Sequence, residues 1–191
     1  LYCKLLEDAV REVKGEVRHE APEPVIDLNV DAYVSDDYVA DPQQKVEVYK
    51  RVAGLKTVDE VVDFQEELED RFGPVPPPVR NLLAVAKLRV LAKELGVEAI
   101  SGAAEEVVIR MLPGLVLPRE AALHLSRQFR GRVVLSAARS TPVRIRRRGL
   151  GERDLLAVLE QVLREMRAAW PVAKDGGEPE PVGARVAHGG E

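Results

Sequence analysis

The side chains in this sequence whose types and spacing could do chemistry are charged ones, and they fall into three groups. In Glu66-Glu67-Leu68-Glu69-Asp70-Arg71-Phe72-Gly73, helical periodicity sets Glu67, Asp70 and Arg71 at i, i+3 and i+4, one polar edge beside the apolar Leu68 and Phe72. Such an edge is either an intrahelical ion pair worth about 0.3–0.5 kcal/mol or a polar docking surface for a partner. The second group runs from Arg130 through Arg132 and Arg139 to Arg144, Arg146, Arg147 and Arg148. Guanidiniums so dense could contact phosphates, although no aromatic side chain is interleaved to stack on bases, and a solvated strand face is the plainer reading. The third group is Asp27, Asp31, Asp36, Asp37 and Asp41. It lacks the spacing and the glycine of an EF-hand loop, and an exposed strand face followed by a helix cap accounts for it.

Other reaction types find no residues to carry them. The chain has no GxxxxGK[ST] phosphate loop, no GxGxxG after a strand, no HExxH and no GxSxG elbow. Its one cysteine, Cys3, has no basic neighbourhood to activate it, and the three histidines, His19, His124 and His188, are too scattered to be metal ligands. No catalytic residue, metal site or cofactor is therefore expected in this segment. With 28 Lys+Arg against 32 Asp+Glu, the formal charge of −4 and a pI near 5.6 give no overall pull toward nucleic acid, so any such affinity must be local. No apolar run approaches the roughly 18–20 residues that span a bilayer, and a single cysteine suits a reducing compartment. The expectation is a cytoplasmic protein without membrane contact.

Placing these groups requires the elements that carry them. Residues 1–14 read as a helix already under way, with Leu5, Leu6, Ala9, Val10 and Val13 on one face but no Met and no cap before it, as if cut from a longer chain. Residues 15–23 read as a linker. From Pro24 the sequence alternates, with Ile26, Leu28, Val30 and Ala32 against Asp27, Asn29 and Asp31, which predicts an edge strand over 24–32, followed by an extended acidic connection over 33–40.

Asp41-Pro42 opens a helix with Val46, Tyr49, Val52 and Ala53 as its expected buried stripe, and Thr57 with Glu60 forms a capping box for another over 58–71, with Val61, Phe64, Leu68 and Phe72 inward. The breaker GPVPPP then sets the angle of a third helix, 77–95, too apolar for a thin stripe and so expected to be central. Short β-branched runs at 97–100, 107–112, 133–136 and 142–146 predict a small sheet. A helix over 118–129 should lie between them, with Ala122, Leu125 and Phe129 inward, and a final helix should centre on 155–166. Helices fill the first half and strands the second without βαβ alternation, which predicts an α+β fold with a small, mostly antiparallel sheet and a closing C-terminal helix. The domain would occupy 24–169, with a disordered tail over 170–191.

Several of these segments together resemble the transcription-repair coupling factors of bacteria. LYCKLLEDAV at the start is similar to the helix that follows the family's second helicase lobe. DLNVDAYVSDDYV from Asp27, VEVYKRVA from Val46, ELEDRFGPVP from Glu67 and the helix Leu82 to Gly96 follow in the family's order. The likeness covers most of residues 1–112, continues only as a pattern beyond, and stops after Ala169. It implies a C-terminal regulatory domain whose parent chain is an ATP-dependent DNA translocase, with ATP and Mg bound elsewhere in that chain. That parent would displace stalled RNA polymerase from double-stranded DNA and recruit UvrA for nucleotide excision repair. By resemblance this domain docks on an intramolecular N-terminal UvrB-like module and masks its UvrA-binding surface, with Glu67, Asp70 and Arg71 at the contact. The alternative is a DNA-binding accessory domain using the arginines between Arg130 and Arg148, Arg144, Arg146, Arg147 and Arg148 foremost.

Overall fold

The computed structural model describes residues 22–135 and 143–170; the expected leader helix, most of the expected linker and the tail beyond Trp170 lie outside these residues. Strand β1 (Val25–Asp27) is followed by three helices, α1 (Pro42–Gly54), α2 (Val58–Phe72) and α3 (Pro77–Glu94). Strands β2 (Val97–Gly102) and β3 (Glu106–Met111), helix α4 (Arg119–Gln128), strands β4 (Val133–Val134) and β5 (Val143–Arg146), and helix α5 (Glu152–Ala169) complete the order. The α+β class follows, with a five-stranded sheet in the order β1-β2-β3-β5-β4. All neighbouring pairs are antiparallel except β1 with β2.

The helices begin where side chains can satisfy their free N–H groups. Asp41 accepts from the backbone N–H of Gln43 at 2.7 Å and of Gln44 at 3.0 Å, with Pro42 behind it at the position where a missing donor costs nothing. Thr57 accepts from the N–H of Glu60 at 3.1 Å, and the Glu60 carboxylate returns a bond to the N–H of Lys56 at 2.7 Å, one residue earlier than in the standard box.

Two clusters of buried side chains make the interior. The first lies between the sheet and α3, α4 and α5, where Val107, Ile109, Val143 and Ile145 meet Leu91, Leu125, Leu159 and Leu163. The second lies among α1, α2 and the N-terminal half of α3, around Val52, Val61, Phe64, Leu68, Val79 and Leu83. Helix α3 serves both clusters, which explains why its sequence is apolar on more than one side.

The structure departs from the sequence reading at several points. On α1 the buried residues are Val48 and Val52, while Val46 is 51% exposed and Tyr49 38%. Tyr49 turns aside because its hydroxyl oxygen accepts the backbone N–H of Val34 at 2.8 Å. The stretch read as an extended acidic connection bends at 36–38 and sends Val34 and Val39 into the helical core, both nearly inaccessible. Strand β1 is only three residues long, since beyond Asp27 the chain bonds to side chains of other elements instead of to β2. On α4 the inward residue is Ala121 rather than Ala122.

Candidate functional site

Helix α2 buries Val61, Phe64 and Leu68 in the core it shares with α1 and α3, and the period of 3.6 that buries this stripe leaves Glu67, Asp70 and Arg71 along its flank and outer ridge. Of the three, the structure brings Glu67 and Arg71 together: Arg71 Nη1 donates to Glu67 Oε1 at 3.3 Å, one turn apart and in the favourable order of acid before base. Asp70 is exposed on the ridge beside them and, among the described residues, pairs with nothing.

The residue that sequence reasoning missed is Arg51, in the last turn of α1. Its Nη2 donates to the second carboxylate oxygen of Glu67 at 3.1 Å, so one carboxylate is held between guanidiniums from two helices. Each guanidinium also lies over an aromatic ring, Arg51 at 5.2 Å from the centroid of Phe64 and Arg71 at 5.0 Å from that of Phe72. Each exposed ion pair contributes about 0.2–1 kcal/mol and each exposed cation–π contact about 0.5–1 kcal/mol, too little to hold the fold but enough to fix the orientation of the group. No local pattern could have paired Arg51 with Glu67, because their meeting is set by the crossing of α1 over α2.

Around this triad runs a groove between the two helices, floored by Val48, Leu55 and Phe64 and edged by Glu47, Glu60 and Asp63. It sets planar guanidinium donors beside the exposed carboxylates of Glu47 and Asp63, open to water. Lower down, Tyr38 holds the end of α2, its hydroxyl within reach of the Leu68 carbonyl at 3.2 Å and donating to that of Gly73 at 3.0 Å, and burial raises its phenol above the usual range, with Glu69 adding to the shift.

The other charged groups separate. Asp41 is a helix cap, and Asp36 pairs with Lys45, whose hydrogen bond holds its carboxyl below the ordinary range. Among the described residues no three His, Cys, Asp or Glu side chains converge as metal ligands. His124 is a partly exposed residue whose Nε2 lies 2.7 Å from Glu165, and Cys3, His19 and His188 fall outside the described residues, as does Arg139. Arg144 points outward from β5 toward Glu106 at 3.7 Å. Arg146 and Arg147 bond backbone carbonyls, and Arg148 is exposed. None of the described helices is long and apolar enough to cross a membrane.

Comparison with known proteins gives a consistent result. The family model described as TRCF domain matches residues 28–117. Over 102 residues the chain is 40% identical to the transcription-repair-coupling factor of Staphylococcus aureus (strain USA300), covering 52% of this chain and 9% of that protein. Over 113 residues it is 34% identical to the protein of that name from Staphylococcus haemolyticus (strain JCSC1435), covering 58% of this chain and 10% of that protein. The matched part is thus about a tenth of the relatives' length. A crystal structure of the C-terminal domain of transcription-repair coupling factor superposes with a TM-score of 0.72, covering 79% of this chain and 96% of that one at 18% identity.

Proposed function

This chain carries the TRCF domain, the C-terminal domain of the transcription-repair coupling factors, and from that premise we propose that it is a regulatory docking module and not itself a catalyst. It docks, in this reading, on the N-terminal UvrB-like module of its own parent chain and masks the surface that UvrA binds. The parent is then an ATP-dependent translocase on double-stranded DNA that displaces stalled RNA polymerase and admits UvrA once the latch opens. The observation that carries the reading is the Glu67 carboxylate fixed between Arg51 and Arg71, with Asp70 unpaired beside it among the described residues.

The physical case rests on reversibility. A latch must open when a competitor arrives, so its interface should be modest and polar rather than a large apolar face. A guanidinium held over a ring, with most of its N–H donors unused, is preorganised for a partner's carboxylate or carbonyl, and Asp70 for a partner's cation. Little affinity is needed: two modules in one chain meet at an effective concentration of about 1 mM, so an intrinsic Kd of about 10 μM keeps the open state near 1%.

The test is titration of this chain against the isolated UvrB-like module at low and moderate salt, beside the triple variant Glu67→Gln, Asp70→Asn, Arg71→Gln. Weak, salt-sensitive binding that the variant loses is expected. Absence of binding at millimolar concentration by folded protein, or equal binding by the variant, sinks the proposal.

A further inference from the structure

We propose that the end of the sheet formed by the α4–β4 and β5–α5 turns binds the phosphate backbone of duplex nucleic acid. The two turns are built alike. In Phe129-Arg130-Gly131-Arg132 the N–H of Arg132 donates to the Phe129 carbonyl at 3.0 Å, and in Arg147-Arg148-Gly149-Leu150 the N–H of Leu150 donates to the Arg147 carbonyl at 3.0 Å. Each turn has arginine second and, third, a glycine at positive φ, 73° at Gly131 and 78° at Gly149, a backbone state that side-chain-bearing residues rarely adopt. The pairing of β4 with β5 places Val133 opposite Ile145, and the N–H of Arg146 bonds the Arg132 carbonyl at 2.9 Å, so the turns stand side by side.

The two turns and the strand ends beside them thus carry five arginines, Arg130, Arg132, Arg146, Arg147 and Arg148. Three are positioned by backbone: Arg132 Nη1 on the Arg146 carbonyl at 3.1 Å, Arg146 Nη1 on that of Gly131 at 3.3 Å, and Arg147 Nη2 on that of Asn29 at 3.2 Å. A carbonyl uses one donor without neutralising the charge, and each of these arginines keeps further N–H groups. Of the carboxylates around the turns, Glu106 is in register with Arg146 but engaged 3.7 Å from Arg144, Glu105 is exposed, and Glu152, two residues beyond Leu150, is engaged with Asp31 and Asn81. Among the described residues none of the five forms an ion pair.

The surroundings favour phosphate over a protein partner or single-stranded nucleic acid. Protein interfaces centre on apolar or aromatic anchors, and single strands are held by stacking on aromatic rings. The apolar members of the turns, Phe129 and Leu150, are half-buried against the sheet core, and the neighbouring exposed apolar residue is Val134, on the outer face of β4. Charge with spare donors is what phosphate contacts require. The −4 charge of the whole chain means that no long-range attraction helps, so the affinity must come from these contacts and fall steeply with salt. The surface stands on the sheet core, apart from the α1–α2 groove, and does not depend on the docking reading.

The experiment is fluorescence anisotropy of a random-sequence duplex of about 20 base pairs with this chain, between about 25 and 200 mM salt. With about four phosphates engaged, log K should fall against log salt with a slope near −3.6. The double variant Arg130→Gln, Arg148→Gln removes two guanidiniums that bond no backbone carbonyl among the described residues, and circular dichroism verifies its fold. Its slope should be shallower by about 2 and its affinity at low salt at least about tenfold weaker, while Lys56→Gln in the α1–α2 loop changes neither. Three outcomes overturn the proposal: no duplex binding at the lowest salt, equal binding by the double variant, or binding of polyglutamate that excess duplex fails to displace. The last assigns the surface to an acidic protein instead.

Discussion

Arg89 offers the sharpest test of how the groove is held, because one side chain on α3 closes the end of α1. Its Nη1 donates to the Ala53 carbonyl at 2.7 Å, and its Nη2 to those of Val52 at 2.9 Å and Leu55 at 3.0 Å. The carbonyls of Ala53 and Leu55 have no backbone partner at this helix end, that of Val52 has only a long 3.4 Å bond from the Leu55 N–H, and the guanidinium also sits at the negative end of the α1 dipole. A bond from a charged donor contributes about 1.5–3 kcal/mol when buried, but this residue is half-buried and water can re-enter, so the three together are worth about 2–3 kcal/mol. The dipole is included in that figure, since the two effects share the same atoms.

Arg89→Ala should therefore lower Tm by about 6–9 °C in a domain of this size, measured by calorimetry or circular dichroism. Arg89→Lys keeps the charge but cannot fork to three acceptors, and should recover roughly a third of the loss. Because α1 carries Arg51, the alanine variant should also weaken any docking through the triad. A Tm change under about 2 °C, or full recovery by lysine, refutes the reasoning, the first by showing that the carbonyls need no cap and the second that charge alone suffices.

Three further perturbations follow from other contacts. Leu91→Ala removes a fully buried side chain from the sheet core and should cost about 3–4 kcal/mol, read as a lowered urea midpoint with unchanged m-value. Tyr38→Phe takes away the hydroxyl that holds the Leu68 and Gly73 carbonyls while keeping the ring beside Phe72, and should cost about 1–1.5 kcal/mol by the same assay. The Glu23 carboxyl lies below its ordinary 4.5, chiefly through the hydrogen bond from Lys93. A depressed folded value means that the pair stabilises above the unfolded value and is lost as pH falls through the folded one. Glu23→Gln should accordingly lower Tm slightly at pH 7, with the difference from the parent shrinking as pH falls below 4.5.

What the sequence made legible was what local periodicity and capping determine. Thr57, Asp41 and the GPVPPP breaker marked helix boundaries correctly because each acts on its own backbone within a few residues. The apolar excess of α3 announced a helix covered on several sides, and the edge formed by Glu67 and Arg71 was readable from a spacing of four. What remained hidden depended on contacts between elements. Val34 and Val39 sit in an acidic stretch and give no periodic signal, yet the turn between them sends both inward. Tyr49 looked like core because it falls at helical spacing with Val46, Val52 and Ala53, whereas its hydroxyl has a backbone partner fifteen positions away. Arg51 and Arg89 were invisible as site residues for the same reason, since each acts across a helix crossing.

The same long-range contacts fix how the two surfaces relate. The groove belongs to the helical core and the arginine turns to the sheet core, but neither core can move alone while α3 supplies buried side chains to both. A second tie crosses between them. Asn81 on α3, 8% exposed, donates through Nδ2 to the Asp31 carbonyl at 2.9 Å and to Glu152 Oε2 at 3.0 Å, while Glu152 Oε1 accepts the N–H of Asp31 at 3.1 Å. This closed set joins the connection after β1, which leads into the helical core, to the first turn of α5, a few residues beyond the Arg148 turn. A buried amide with both donors engaged is costly to separate, so the groove and the arginine corner keep a fixed spacing. Release of the groove from a partner would then carry the arginine surface with it as one rigid piece, and any coupling between the two would act by placement in space rather than by a change of shape within the domain.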